Sequence, residues 1–218
     1  AKTIIAPVNN MFHSLFSDVS LYAGAGNTLI ETQNSNYAFK SYFINLFEIP
    51  ANHTNQLERQ GFYKDTPGAY DDYKAITGNA NTGFKTRHEM SKEAKKIEVT
   101  GTPCLDIMRQ GKLLLNHIGL RLVFTRSKDS FFLMGKDLTA NDATASPESA
   151  YKVKIHSCVL QLKLITPSPC VISGHELGLQ RQNGHYTYNS IKITTFTIPS
   201  GSTSFNKDNF LSEIPHMI

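Results

Sequence analysis

The residues with chemical potential are scattered along the chain. Eight histidines, His13, His53, His88, His117, His156, His175, His185 and His216, invite a metal. Metal-binding imidazoles commonly come in short spacings such as H-x-H or H-E-x-x-H, which place two rings on one face. Neither spacing occurs, and the nearest pair, His175 and His185, stands ten residues apart around a glycine turn, so no metal site is predicted. A serine nucleophile on a strained turn would carry G-x-S-x-G, which is absent. Ser173-Gly174-His175-Glu176 holds suitable residue types, but neighbours on an extended chain point to opposite sides. A Cys–His pair would meet in space and not in sequence. The three cysteines, Cys104, Cys158 and Cys170, lack C-x-x-C spacing and read as free structural thiols of a reducing compartment. Asp71-Asp72 reads as a solvated pair or a contact to a neighbouring subunit. Gly24-Ala25-Gly26 would cradle a phosphate only if it opened a helix; the β-like Thr28-Leu29-Ile30 that follows makes it a turn. Asn52-His53-Thr54 matches a glycosylation sequon by chance, since no secretory leader is visible. The sequence thus points to no enzyme, no cofactor and no small-molecule substrate.

The composition agrees with a structural role. Of the 218 residues, 40% are apolar, enough for a buried core, and only 18% are charged. Asn, Thr and Ser fill the difference, as in turn-rich β proteins. The net charge of +4 is mild, and the one basic cluster, Lys92, Lys95 and Lys96, is broken by Glu93 and reads as a solvated edge. Specific nucleic-acid contact is not predicted. No apolar run reaches the roughly 18 residues of a membrane span. Both ends read as cut, from Ala1-Lys2-Thr3 at the start to Ile214-Pro215-His216-Met217-Ile218 at the finish.

Strand signals dominate the elements that would position any site. Ser17 to Tyr22, the turn Gly24–Asn27, and Thr28 to Thr32 predict a hairpin. Tyr37 to Phe47 is the one clear helix, with Phe39, Phe43, Leu46 and Phe47 at helical spacing, Asn36 to cap it and Pro50 to end it. Residues 51–83 read as a long polar, aromatic-spotted excursion of the kind that is functional or interface-forming. Strands are predicted again at Lys96–Val99, Leu120–Thr125, Tyr151–Ile165 and Ile191–Thr195, with a polar linker at 138–150. Strands in series without a strand–helix rhythm predict an all-β sandwich or barrel.

Several segments, in order, resemble the double jelly-roll capsid proteins of adintoviruses and Polinton-type elements, which include adomavirus-like members. They are Asn9-Asn10-Met11-Phe12-His13-Ser14-Leu15-Phe16-Ser17-Asp18-Val19, the tyrosine-bearing helix from Asn36-Tyr37 to Leu46, and Phe62-Tyr63-Lys64-Asp65-Thr66-Pro67-Gly68. Gly83-Phe84-Lys85-Thr86-Arg87, Gly119 to Phe131, Tyr151-Lys152-Val153-Lys154-Ile155 and Thr195-Phe196-Thr197-Ile198-Pro199-Ser200-Gly201 follow. The resemblance implies jelly-roll sandwiches with one short helix. The first roll would occupy 1–137 without its first strand, 138–150 would be the linker, and 151–218 would start a second roll, incomplete at both ends of the chain. It further implies a hexon-like major capsid protein of a double-stranded DNA virion, assembled in the host cell. Its partners would be two further copies of itself, in trimeric pseudo-hexagonal capsomers, and other capsid proteins. The subunit contacts would fall on Tyr37, Phe39, Tyr42 and Phe43 of the helix and on Phe62, Tyr63, Lys64, Asp65, Tyr70 and Tyr73 of the excursion, since aromatic residues are favoured in buried interface centres. The rival readings are a single jelly-roll minor capsid or penton protein, a cellular carbohydrate-binding β-sandwich and, last, a hydrolase on a β scaffold.

Overall fold

The computed structural model describes residues 4–50, 53–72, 81–135 and 151–206. The chain is not an all-β jelly roll. The described residues are mixed, 30% helical and 14% strand, with two small sheets of two and three strands. The 138–150 linker lies outside the described residues.

The predicted hairpin is present. Strand β2 (Phe16–Ala23) turns through Gly24–Asn27 into β3 (Thr28–Glu31), antiparallel, with Ala23 opposite Thr28. The turn is left-handed at Gly24 and Asn27, with φ of 76° and 48°, conformations that Gly and Asn adopt at least cost. The other edge of β2 pairs with β4 (Leu120–Arg126), from Phe16↔Arg126 to Ala23↔Leu120, so the sheet order is β3-β2-β4. A bulge between Phe16 and Asp18 has a consequence for the core. Phe16 and Val19 are an odd number of residues apart and would face opposite ways on a regular strand; the extra residue lets both point inward. Together with Leu21, Tyr37, Ile44, Cys104 and Leu105 they form the hydrophobic core. The second sheet is a short pair, β1 (Ile5–Pro7) against β5 (Leu133–Gly135).

Helices hold the rest. A short α1 (Met11–Ser14) precedes β2, and the predicted helix α2 (Tyr37–Phe47) packs on it. The excursion contains α3 (Thr54–Arg59), and α4 (Thr82–Ser91) follows it. The Asn81 side chain caps α4 by accepting the Phe84 N–H at 3.1 Å. A single turn, α5 (Asp129–Phe132), leads into β5.

The second half departs most from expectation. Residues 151–165 form neither strand nor helix, although Val153, Ile155, Leu160, Leu162 and Leu164 alternate with polar residues over parts of the segment. Lys96–Val99 and Ile191–Thr195 are likewise not strands. Alternation says which face a strand would bury, but a strand needs a neighbour to complete its ladder. Leu162 and Leu164 are instead 67% and 86% exposed. Among the described residues of 151–206 there is no strand. Ser173-Gly174-His175-Glu176 lies on a helix, α6 (Pro169–Arg181), and not on an extended chain. Pro169 occupies the first turn of this helix, where the missing N–H costs nothing.

Candidate subunit interface

Helix α2 has two faces. Tyr37, Ala38, Lys40, Ser41, Ile44 and Asn45 are buried against β2 and its surroundings. Phe39, Phe43, Leu46 and Phe47 face out, between 39% and 80% exposed. The apolar stripe by which the helix is legible in the sequence is therefore its outer face, and the packed face carries polar side chains. The outer stripe is continuous: Phe43 stacks on Phe47, and Phe39 meets Phe131 edge-on, each with ring centroids 6.2 Å apart. Monomeric proteins seldom present such a run of large apolar groups to water.

The other expected contact residues divide. Tyr70 and Lys64 are exposed, and Tyr42 and Tyr63 half-buried. Tyr37, Phe62 and Asp65 are buried inside the chain and leave no side chain for a neighbour, and Tyr73 lies outside the described residues. Phe62 packs on Tyr42 at 5.6 Å. Asp65 accepts from Arg87 Nη2 at 3.0 Å, while Arg87 Nε and Nη1 donate to the carbonyls of Pro7 and Tyr63 at 2.9 and 3.0 Å. Arg87 is fully buried, its charge is matched by Asp65, and each of its three nitrogens donates a hydrogen bond. Gly83 makes this docking possible, because a Cβ there would stand 2.6 Å from the Tyr63 carbonyl oxygen. An open groove of about 430 Å³ runs beside the pair, lined by Leu46, Leu57, Phe62, Tyr63 and Lys64 among others. It brings the end of α2 and the 62–64 segment to one place.

The chemistry-bearing groups are used inside the fold. His13 is buried, and burial pulls its imidazole down to about 4 against a smaller opposing effect of its Gln60 hydrogen bond. It is therefore neutral near pH 7, and its partners set the tautomer: Nε2–H donates to Gln60 Oε1 at 3.1 Å, and Nδ1 accepts from the Tyr37 hydroxyl at 2.9 Å. The Tyr37 oxygen in turn accepts the Cys104 N–H at 3.1 Å. Burial pushes that phenol well above its ordinary range and the Cys104 thiol up to about 11. Neither is an available nucleophile or base. Asn45 donates to Asn10 at 3.0 Å, Asn10 to Ser41 at 2.8 Å, and Ser41 to the Ala38 carbonyl at 2.8 Å. Asn10 holds a left-handed conformation, φ 60°, at the start of α1. The Asn9–Val19 segment thus serves the scaffold, binding α1, α2 and the excursion into one body.

Sequence reasoning missed a buried ionic cluster. Lys40 Nζ lies 3.0 Å from Glu31 Oε1 and 2.7 Å from Asp106 Oδ1, with all three side chains 3% exposed or less. The available signal was position: Lys40 shares a helix face with Tyr37, Ser41 and Ile44, where a charged side chain is buried and must be paired. Among the described residues no group of three or more His, Cys, Asp or Glu side chains is placed to hold a metal, and no helix is long and apolar enough to cross a membrane.

No family model matches the chain, and no solved structure shows significant similarity to it. A 131-residue stretch, 60% of the chain, is 25% identical to an uncharacterized protein of Caenorhabditis elegans. That match spans 28% of the worm protein's own length.

Proposed function

We propose that the chain is a structural, shell-forming subunit that works through protein–protein contacts, with the outer face of α2 as the seat of one contact. The observation that carries the reading is the continuous stripe Phe39, Phe43, Leu46 and Phe47, joined by Phe131, left open to water. The use of His13, Tyr37, Arg87 and Asp65 as internal fastenings is consistent with a rigid part. The resemblance to viral capsid proteins in the Asn9–Val19 and Phe62–Gly68 segments makes a virion shell the setting, with a homotrimer as its unit. Obligate interfaces bury roughly 2,000–5,000 Å², so the stripe supplies the apolar centre and the exposed Lys64 and Tyr70 part of a rim.

The test is the solution mass of the intact protein, by light scattering after size exclusion, for the wild type and for Phe43→Glu/Phe47→Glu. A trimer or larger shell in the wild type, reduced to monomer in the double variant with unchanged circular dichroism, is expected. A wild-type monomer across a wide concentration range would overturn the reading. The groove beside Tyr63 and Lys64, aromatic and polar at once, would then favour a glycan-binding module.

A further inference from the structure

The Lys40, Glu31 and Asp106 cluster has the geometry of a reaction centre, not only of an ion pair. Its amine and two carboxylates are enclosed in the core, where Tyr37 and Leu105 are wholly buried. The carboxylates are not equivalent. Glu31 accepts the backbone N–H of Asp106 at 2.9 and 3.1 Å on its two oxygens, the Gln33 side-chain amide at 2.9 Å, and Lys40 at 3.0 Å. Asp106 presents Oδ1 to Lys40 at 2.7 Å, and its Oδ2 accepts the Ile191 backbone N–H at 2.6 Å. One carboxylate is thus clamped beside the amine as a proton carrier. The other has one oxygen at the amine and the second under a fixed N–H donor, the arrangement that stabilises a tetrahedral oxyanion.

We propose that Lys40 and Asp106 condense to an intramolecular isopeptide bond, with Glu31 carrying the proton. Lys40 gives a proton to Glu31, and its freed lone pair attacks Cγ of Asp106, forming the C–N bond. Negative charge develops on Oδ2, which the Ile191 N–H holds. Glu31 delivers the proton to Oδ1, the Cγ–Oδ1 bond breaks, and with the second proton shed by the nitrogen the oxygen leaves as water. The ammonium and carboxylate together become one amide and one water, Glu31 returns to its starting state, and no oxidant or activating group is consumed. Two features favour the forward direction. Effective molarities of roughly 10⁵–10⁸ M for well-oriented groups offset the tendency of water to hydrolyse amides. The neutral amide also removes two of the three buried charges, while Glu31 keeps the Asp106 N–H and the Gln33 amide as donors. The bond would tie α2 covalently to the 104–108 segment, and the proposal stands apart from how the chain assembles.

Intact-mass spectrometry of the folded full chain, followed by tandem analysis of its proteolytic peptides, decides the matter. The expected result is a wild-type chain lighter than its sequence by one water, with a branched peptide joining Lys40 to Asp106. Glu31→Gln, which keeps the shape but cannot carry the proton, is expected at full mass, as is Lys40→Met. A wild-type chain that stays at full mass after prolonged incubation overturns the proposal. So does loss of water without a branched peptide, which marks a cyclic imide at an aspartate, and so does water loss that persists in Lys40→Met.

Discussion

His13 shows at the residue scale how burial converts a reactive group into a fastening with a pH signature. Its imidazole titrates near 6.5 when unfolded and at about 4 in the fold. Between those values the unfolded chain binds more protons, so stability is full above about pH 6.5 and falls as the pH is lowered towards 4. The loss amounts to about 3 kcal/mol, with a plateau in this contribution below 4. Urea unfolding across that range is expected to show the slope, and His13→Gln, which cannot titrate, to flatten it. The Asp65–Arg87 pair makes a second case. Removing one partner leaves a buried charge unmatched, at roughly 3–5 kcal/mol. Arg87→Met and Asp65→Ala should each lower the urea midpoint by a corresponding amount, and the double variant should cost less than the two added together. The aromatic crowding of 62–70 marks this segment in the sequence, but the partner of Asp65 stands 22 residues away, a distance no local pattern encodes.

The elements differ in how far they could be read ahead. The β2–β3 hairpin and α2 were legible because their signals are local: a Gly-rich turn between alternating runs, and four apolar residues at helical spacing ended by a proline. Helices α3 and α4 were hidden inside or beside a segment whose polarity and glycines read as loop. The Asn81 cap of α4 is visible in the sequence only to a reader already expecting a helix there. The alternation of Tyr151–Ile165 was misread for a different reason: the pattern is real, but the pairing that makes a strand is a property of its neighbours. Even for α2 the reading was partial, since the packed face holds Lys40, Ser41 and Asn45, which no apolar pattern picks out. The docking of α4 offers its own test. Gly83→Ala would drive a methyl group into the Tyr63 carbonyl and should cost roughly 1–3 kcal/mol in urea unfolding, a typical overpacking penalty.

At the scale of the whole molecule, the described residues fall into a tightly bonded part, 4–135, and a loosely attached one, 151–206. The second part joins the first through single hydrogen bonds and no shared sheet, among them Ile191 N–H to Asp106 Oδ2 at 2.6 Å and Tyr186 to the Lys112 carbonyl at 2.7 Å. Val153 donates its backbone N–H to Asp129 Oδ1 at 3.2 Å, Lys112 donates to Thr187, and Asn36 donates to the Ile193 carbonyl at 3.0 Å. Local opening free energy follows burial and bonding. Hydrogen exchange should therefore be slow at the amides of β2 and β4 and near solvent rates across 156–165. The tightly bonded part is closed by its two ends, for Ile5 pairs with Gly135 and Phe16 with Arg126. That closure bears on biosynthesis. The hairpin β2–β3 can form in microseconds once made, but the other edge of β2 must wait for residues 120–126. At about 5–20 residues per second, a ribosome takes on the order of ten seconds to supply them. Throughout that interval the nascent chain carries an open strand edge, with Phe16 and Val19 lacking Phe124 beside them, a natural station for a ribosome-associated chaperone.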